Sequence, residues 1–121
     1  MAQKIGTRRV LSASTITGDE VVNHQNEDIG KIHELMIDLE SGRIAYAVLS
    51  FGGFLGMGNK LFAIPWNAFV IDEEDKKMIL DVDKERLRNA PGFDEDNWPD
   101  MADSSWGKKI YSYYGKRPYW E

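Results

Sequence analysis

The sequence predicts a mainly β domain, a small antiparallel barrel or sandwich of short strands, followed by a helical extension rich in aromatic residues. Three observations carry this. Between residues 20 and 82, short apolar and β-branched runs alternate with turn signals, the pattern of a small all-β domain. Residues 91–121 hold 8 of the chain's 14 aromatic side chains, a surface whose ordering against something else is strongly favourable. With 121 residues, the chain has the length of one domain and one modest core.

Each element follows from its residues. Positions 20–23 read as a first short strand and 24–28 as a polar turn. Positions 29–39 and 43–51 flank Glu40-Ser41-Gly42, so they pair as a hairpin in which Gly42 is free to take a positive φ. In the second arm Ile44, Tyr46 and Val48 face one way and Ala45, Ala47, Leu49 and Phe51 the other. Both faces are largely apolar, as in a central strand covered on both sides. Positions 52–58 place four glycines in seven residues around Phe54, Leu55 and Met57, a long hairpin loop. A further arm at 60–64 should stop at Pro65, which cannot donate to a ladder. Trp66 to Phe69 then form a tight turn or one helical turn carrying two aromatics toward the core. Val70-Ile71, an acidic turn at 72–75 and positions 77–82 make the last hairpin. Asp83 caps a short helix through Arg88 that must end before Pro91. Trp106, Ile110 and Tyr113 or Tyr114 stand at helical spacing, one face of a helix from 104 to 114 closed by Gly115. No internal repeat is present, which removes solenoids and propellers.

Composition narrows the functional classes. The chain is 42% hydrophobic and 29% charged, which suits a globular fold. No run approaches the roughly 18 apolar residues of a membrane span, and the N-terminal residues lack the apolar core of a secretory signal. There is no cysteine, hence no disulfide, thiolate metal site or cysteine nucleophile. A cytoplasmic protein is the default expectation. Net charge is −5, against broad phosphate-backbone binding. The charge is uneven: −1 over residues 1–71, −7 over 72–103 and +3 over 104–121.

Candidate chemistry is sparse. Gly53 and Gly58 have the spacing of a phosphate-binding loop, but Asn59 stands where its lysine belongs and the segment lies between strands. Asp94, Asp96 and Asp100 alternate like calcium ligands, yet Trp98 and Pro99 take loop positions 5 and 6, and Ser105 takes position 12, so a solvated acidic loop with helix capping fits better. His24 and His33 lack the spacing of metal-ligand pairs, and Ser50, Ser104 and Ser105 lack a nucleophile-elbow context. Lys108, Lys109, Lys116 and Arg117, interleaved with Tyr111, Tyr113, Tyr114, Tyr119 and Trp120, could stack bases and touch phosphates. The neighbouring acidic segment would repel nucleic acid, which favours aromatics that pack and lysines that solvate. No catalytic residue, cofactor or metal is expected.

Several segments carry a family resemblance. Gly18-Asp19-Glu20-Val21-Val22, Asp28-Ile29-Gly30-Lys31-Ile32, Leu35-Met36-Ile37-Asp38-Leu39, Ser41-Gly42-Arg43-Ile44-Ala45-Tyr46-Ala47-Val48 and Leu61-Phe62-Ala63-Ile64-Pro65-Trp66 together resemble a PRC-barrel domain. The resemblance spans 17–82. It implies a small, strongly bent antiparallel sheet closing as an SH3-like barrel, with an N-terminal segment at 1–13, the barrel domain at 14–83 and a C-terminal extension of one or two short helices at 84–121. Members of the family include the cytoplasmic domain of a photosynthetic reaction-centre protein and part of a bacterial ribosome maturation factor. Both act as binding or assembly modules. Without a membrane helix like that of the first or an additional N-terminal domain like that of the second in the sequence, the expectation is a protein similar to the stand-alone bacterial PRC-barrel proteins.

The expected function is therefore that of a non-enzymatic protein-interaction or assembly module that forms a homodimer and docks a protein partner. The expected partner surface is the loop of Gly53, Phe54, Leu55, Gly56 and Met57, where glycine mobility and apolar groups suit adaptation to another chain. The tail is expected to dock through Trp106, Ile110, Tyr113 and Tyr114, completing a core that so short a barrel leaves marginal. An RNA-processing or ribosome-associated module is the first alternative. A small-ligand-binding barrel is the second, and short strands leave little interior room for it.

Overall fold

A computed structural model describes residues 10–51 and 60–121. In chain order they form α1 (Ala13–Ile16), β1 (Glu20–Val22), β2 (Asp28–Ile37), β3 (Ile44–Phe51), β4 (Lys60–Pro65), a 3-10 turn (Trp66–Ala68), β5 (Phe69–Asp72), β6 (Lys77–Leu80), α2 (Lys84–Arg88), β7 (Phe93–Asp94) and α3 (Ser104–Tyr113). The fold is mainly β with a C-terminal helical extension. The ends of the expected strands move by one or two residues. α1 and β7 carry no signal in the sequence: one is a single turn capped by Ser12 and the other a two-residue bridge.

Local chemistry sets the turns. The Asp38 carboxylate accepts the backbone N–H groups of Glu40 at 2.8 Å and Ser41 at 3.3 Å, while Gly42 turns at φ +75°, so the β2–β3 hairpin is pinned by an Asx-type turn. Asn23 orders the turn after β1 in the same way, accepting from Gln25 and Glu27. Asp83 caps α2 by accepting the Arg86 N–H at 2.7 Å, and Asp103 caps α3 by accepting that of Ser105 at 3.0 Å, each satisfying an otherwise orphaned donor.

The strands form one sheet in the order β5-β6-β1-β2-β3-β4-β7. Among the described residues the pairings are antiparallel except β1 with β6, which run parallel. The order forces curvature. β4 and β5 lie five strand positions apart in the sheet yet are joined by the 3-10 turn alone. In a flat sheet that separation is roughly 24 Å at about 4.8 Å per strand. The four residue steps from Pro65 to Phe69 reach at most about 14 Å. The sheet must therefore curl until β5 approaches β4. Two register irregularities in β2, at Ile32/Glu34 and at Met36/Ile37, supply part of that bend.

Curling creates an inside and an outside, each with its own core. Inside, Val21, Ile29, Ile32, Ala47, Leu49, Phe62, Ile64, Met78 and Leu80 pack together, closed by Ile16 of α1 and by Leu87 and Ala90 at α2. Outside, α3 lays Ile110 and Tyr111 against Ala45, Tyr46 and Ala63. This second layer explains why β3 is apolar on both faces: from Ala45 to Leu49 every residue is buried.

Candidate functional site

The site is built where the outer layer ends. α3 begins beside the β2–β3 turn, and after α3 the chain folds back so that Tyr119 and Trp120 return to the same place. Between these three parts lies a groove of about 510 Å³, walled by Met36, Ile37, Leu39, Ala45, Tyr46 and Met101 and flanked by Trp120. That volume is within the usual range for binding sites. Ile37 is 55% exposed and Leu39 is 92% exposed, so apolar surface continues from the groove onto its rim. Among the described residues the charged ones lining it are Asp38, Glu40 and Asp103, all carboxylates.

Gly107 sets the depth of the layer. A Cβ there would lie 2.7 Å from the Tyr46 hydroxyl and 2.8 Å from the Trp120 ring, so a side chain at this position would push the helix, Tyr46 or Trp120 apart. The Tyr46 ring packs edge-on against Trp106 at 5.3 Å and Tyr111 at 5.5 Å. Tyr111 donates its hydroxyl to the Ala45 carbonyl at 2.8 Å. The Tyr46 hydroxyl, though buried, has no hydrogen-bond partner among the described residues. An unpaired buried hydroxyl costs on the order of 1–3 kcal/mol. Tyr46→Phe is therefore expected to fold with unchanged or higher stability, by up to about 2 kcal/mol, measured by urea denaturation; a marked loss would show that the hydroxyl has a structural partner.

The returning C-terminal arm is held by polar contacts. Arg43 donates to the Tyr119 carbonyl at 3.2 Å, Asn67 to the Arg117 carbonyl at 3.3 Å, and the Tyr119 hydroxyl to the Asp38 carboxylate. Lys108 faces Glu121 at 3.9 Å. The Tyr119 hydroxyl, followed by the N–H of Glu40, holds the Asp38 carboxyl below the usual carboxylate range. Burial, then the Asp38 hydrogen bond and charge, push the Tyr119 phenol up to about 12. Burial likewise raises Tyr46, Tyr111 and Tyr114.

These upward shifts fix the sign of an alkaline transition. Unfolded tyrosines ionise near pH 10 while the folded ones stay neutral, so the stability they confer is complete below about pH 10 and is lost as pH rises through the folded values. The melting temperature is expected to fall above about pH 10, with tyrosinate absorbance appearing together with unfolding. Tyrosinate that titrates near pH 10 in a protein whose melting temperature holds would contradict this.

The residues singled out in the sequence are distributed as follows. Trp106, Ile110, Tyr113 and Tyr114 all lie on α3 or its C-cap. Ile110 is 1% exposed, Trp106 meets Tyr46, and the Tyr113 hydroxyl donates to the Arg86 carbonyl of α2. The Arg86 guanidinium in turn lies 4.4 Å from the centroid of the Tyr113 ring. The buried face is centred on Gly107, Ile110 and Tyr111 rather than on Trp106, because the missing side chain at Gly107 draws that side of the helix onto the sheet. Gly53, Phe54, Leu55, Gly56 and Met57 lie outside the described residues. His24 faces Asp81 at 3.8 Å, both exposed, and His33 lies against Trp98. Among the described residues no group of three or more His, Asp or Glu could hold a metal ion, and no helix is long and apolar enough to cross a membrane. The groove itself is not visible in the sequence, since its parts come from three separate stretches, at 36–46, 101–104 and 119–120. Trp120 beside Tyr119, at a basic and aromatic end, is the one available signal.

Comparison with known proteins adds the following. A family model described as the PRC-barrel domain matches residues 8–87. No curated protein matches the chain. A solved structure titled "putative 16S ribosomal RNA processing protein RimM" from Pseudomonas aeruginosa is similar at 18% identity with a TM-score of 0.42, covering 62% of this chain and 45% of that one. This chain thus spans less than half the length of that protein.

Proposed function

Because the chain belongs to the PRC-barrel domain family, we propose that it is a non-enzymatic interaction module that docks a segment of a protein partner in the groove between the β2–β3 turn and α3. One observation carries this reading: an apolar groove whose rim leaves Ile37 and Leu39 exposed beside Trp120. Exposed apolar side chains continuous with a cleft are the usual mark of a protein-binding surface. Two of the three carboxylates there hold the fold, Asp38 bound to Tyr119 and Asp103 capping α3, which supports docking over catalysis. A lining with only carboxylates for charge suits nucleic acid poorly. The reading also takes residues 84–121 as an extension that completes the barrel of 14–83, and includes self-association as a homodimer and a cytoplasmic setting.

Capture of the partner by the full chain tests it. The double substitution Ile37→Ser with Leu39→Ser should reduce capture at least about tenfold, since each buried apolar anchor is worth roughly 1.5–3 kcal/mol. Its melting temperature should change little, because both side chains are exposed. Phe54→Ser with Leu55→Ser tests the glycine-rich loop as a second proposed surface on the same samples, and light-scattering mass reads the homodimer. Undiminished capture by the groove variant would overturn the assignment of the groove.

A further inference from the structure

We infer that the segment the groove receives is basic and amphipathic, a stretch of a partner protein that places a lysine or arginine beside apolar side chains. This rests on the reading of the groove as a docking site and specifies its occupant.

Charge gives the sign. Among the described residues Asp38, Glu40 and Asp103 line the groove, and no lysine, arginine or histidine does. Two of the three are already engaged, Asp38 by Tyr119 and Asp103 by Ser105. The Glu40 carboxylate has no hydrogen-bond or ion-pair partner among the described residues. It stands at the rim, where a cation arriving from solvent would meet it first. A charge of this kind governs partner choice and encounter rate more than total affinity.

The walls suit the stem of such a side chain. Met36 and Met101 are flexible, polarisable surfaces that adapt to irregular apolar shapes, and the hydrocarbon stem of a lysine or arginine packs along apolar surface while its head keeps a polar partner. A polar partner lies buried behind the Tyr46 and Trp120 wall. The Tyr46 hydroxyl and the edge of the Trp120 indole meet over Gly107, and the hydroxyl is buried and unpaired. Its oxygen can accept an N–H from an ammonium or guanidinium. A buried hydroxyl without a partner asks for an explanation, and an incoming donor supplies one.

The test uses the full chain, isotopically labelled, with two synthetic peptides of equal leucine content, one bearing lysines and the other glutamates in their place. The lysine peptide should saturably shift the amide resonances of residues 36–40, 46, 101–104 and 120, with affinity at least about tenfold above that of the glutamate peptide. Added salt should narrow the difference. Glu40→Lys should invert the preference, and Tyr46→Phe should stay folded while weakening the lysine peptide several-fold. Equal or tighter binding of the glutamate peptide in this groove would overturn the basic occupant and leave docking standing. Failure of both peptides to shift these resonances would overturn the docking reading too. Saturation of the groove by butylammonium as tightly as by the lysine peptide would show a small-cation site and overturn the peptide segment.

Discussion

A chain truncated after residue 90 is expected to lose cooperative folding. Truncation removes Ile110 and Tyr111, which are each 1% exposed, and uncovers Ala45, Tyr46 and Ala63 on the outer face of the sheet. Burial of each large side chain is worth roughly 1.5–3 kcal/mol. With Trp106, Tyr114, Tyr119 and the β7 pairing also gone, the loss is on the order of 5–10 kcal/mol, comparable with the whole stability of a small domain at about 5–15 kcal/mol. Urea denaturation followed by circular dichroism should show a broad, early transition or none, with aggregation and dye binding at the exposed face. A truncated chain that melts like the full one would show that the extension is a passenger.

Gly30→Ala should cost about 3 kcal/mol or more, because two penalties fall on one atom. Gly30 sits in β2 at φ +126°, a region that residues with a Cβ rarely adopt, costing of order 1–3 kcal/mol. The added Cβ would also collide with the backbone carbonyl of Ser50 across the β2–β3 pair and press on Leu49. The obstacle is backbone, so no rotamer change relieves it, and β3 would have to move at the centre of both cores. A shift of less than about 1 kcal/mol in urea denaturation would show that β2 relaxes at its irregular register and that the close approach is not required.

Much of the fold is legible in the sequence because its signals are local. Gly42 after Asp38, Asp83 before α2 and Gly115 after α3 each act within a few residues, and the structure places each in the corresponding turn or cap. The two-faced apolar strand containing Tyr46 announces a covered central strand, though not what covers it. The helix seen as a face of Trp106, Ile110 and Tyr113 is in place, but its orientation depends on Gly107, whose role appears only when Tyr46 and Trp120 are brought against it. The parallel pairing of β1 with β6 is equally invisible along the chain, since it joins strands more than fifty residues apart. The groove depends on three such long-range meetings, at the hairpin turn, the start of α3 and the returning arm. None of its residues forms a motif by spacing.

The central claim is that barrel and extension form one cooperative body whose seam is the groove. Native-state hydrogen exchange on the full chain tests it most directly. The amides of Ile110 and Tyr111 in α3 should open with the same free energy and the same denaturant dependence as those of Ala47 to Leu49 in β3, the behaviour of a single cooperative unit. Exchange of the α3 amides through a separate opening, several kcal/mol easier than that of β3 and independent of denaturant, would mean that the helix detaches while the barrel stays folded. The groove would then have no lasting second wall.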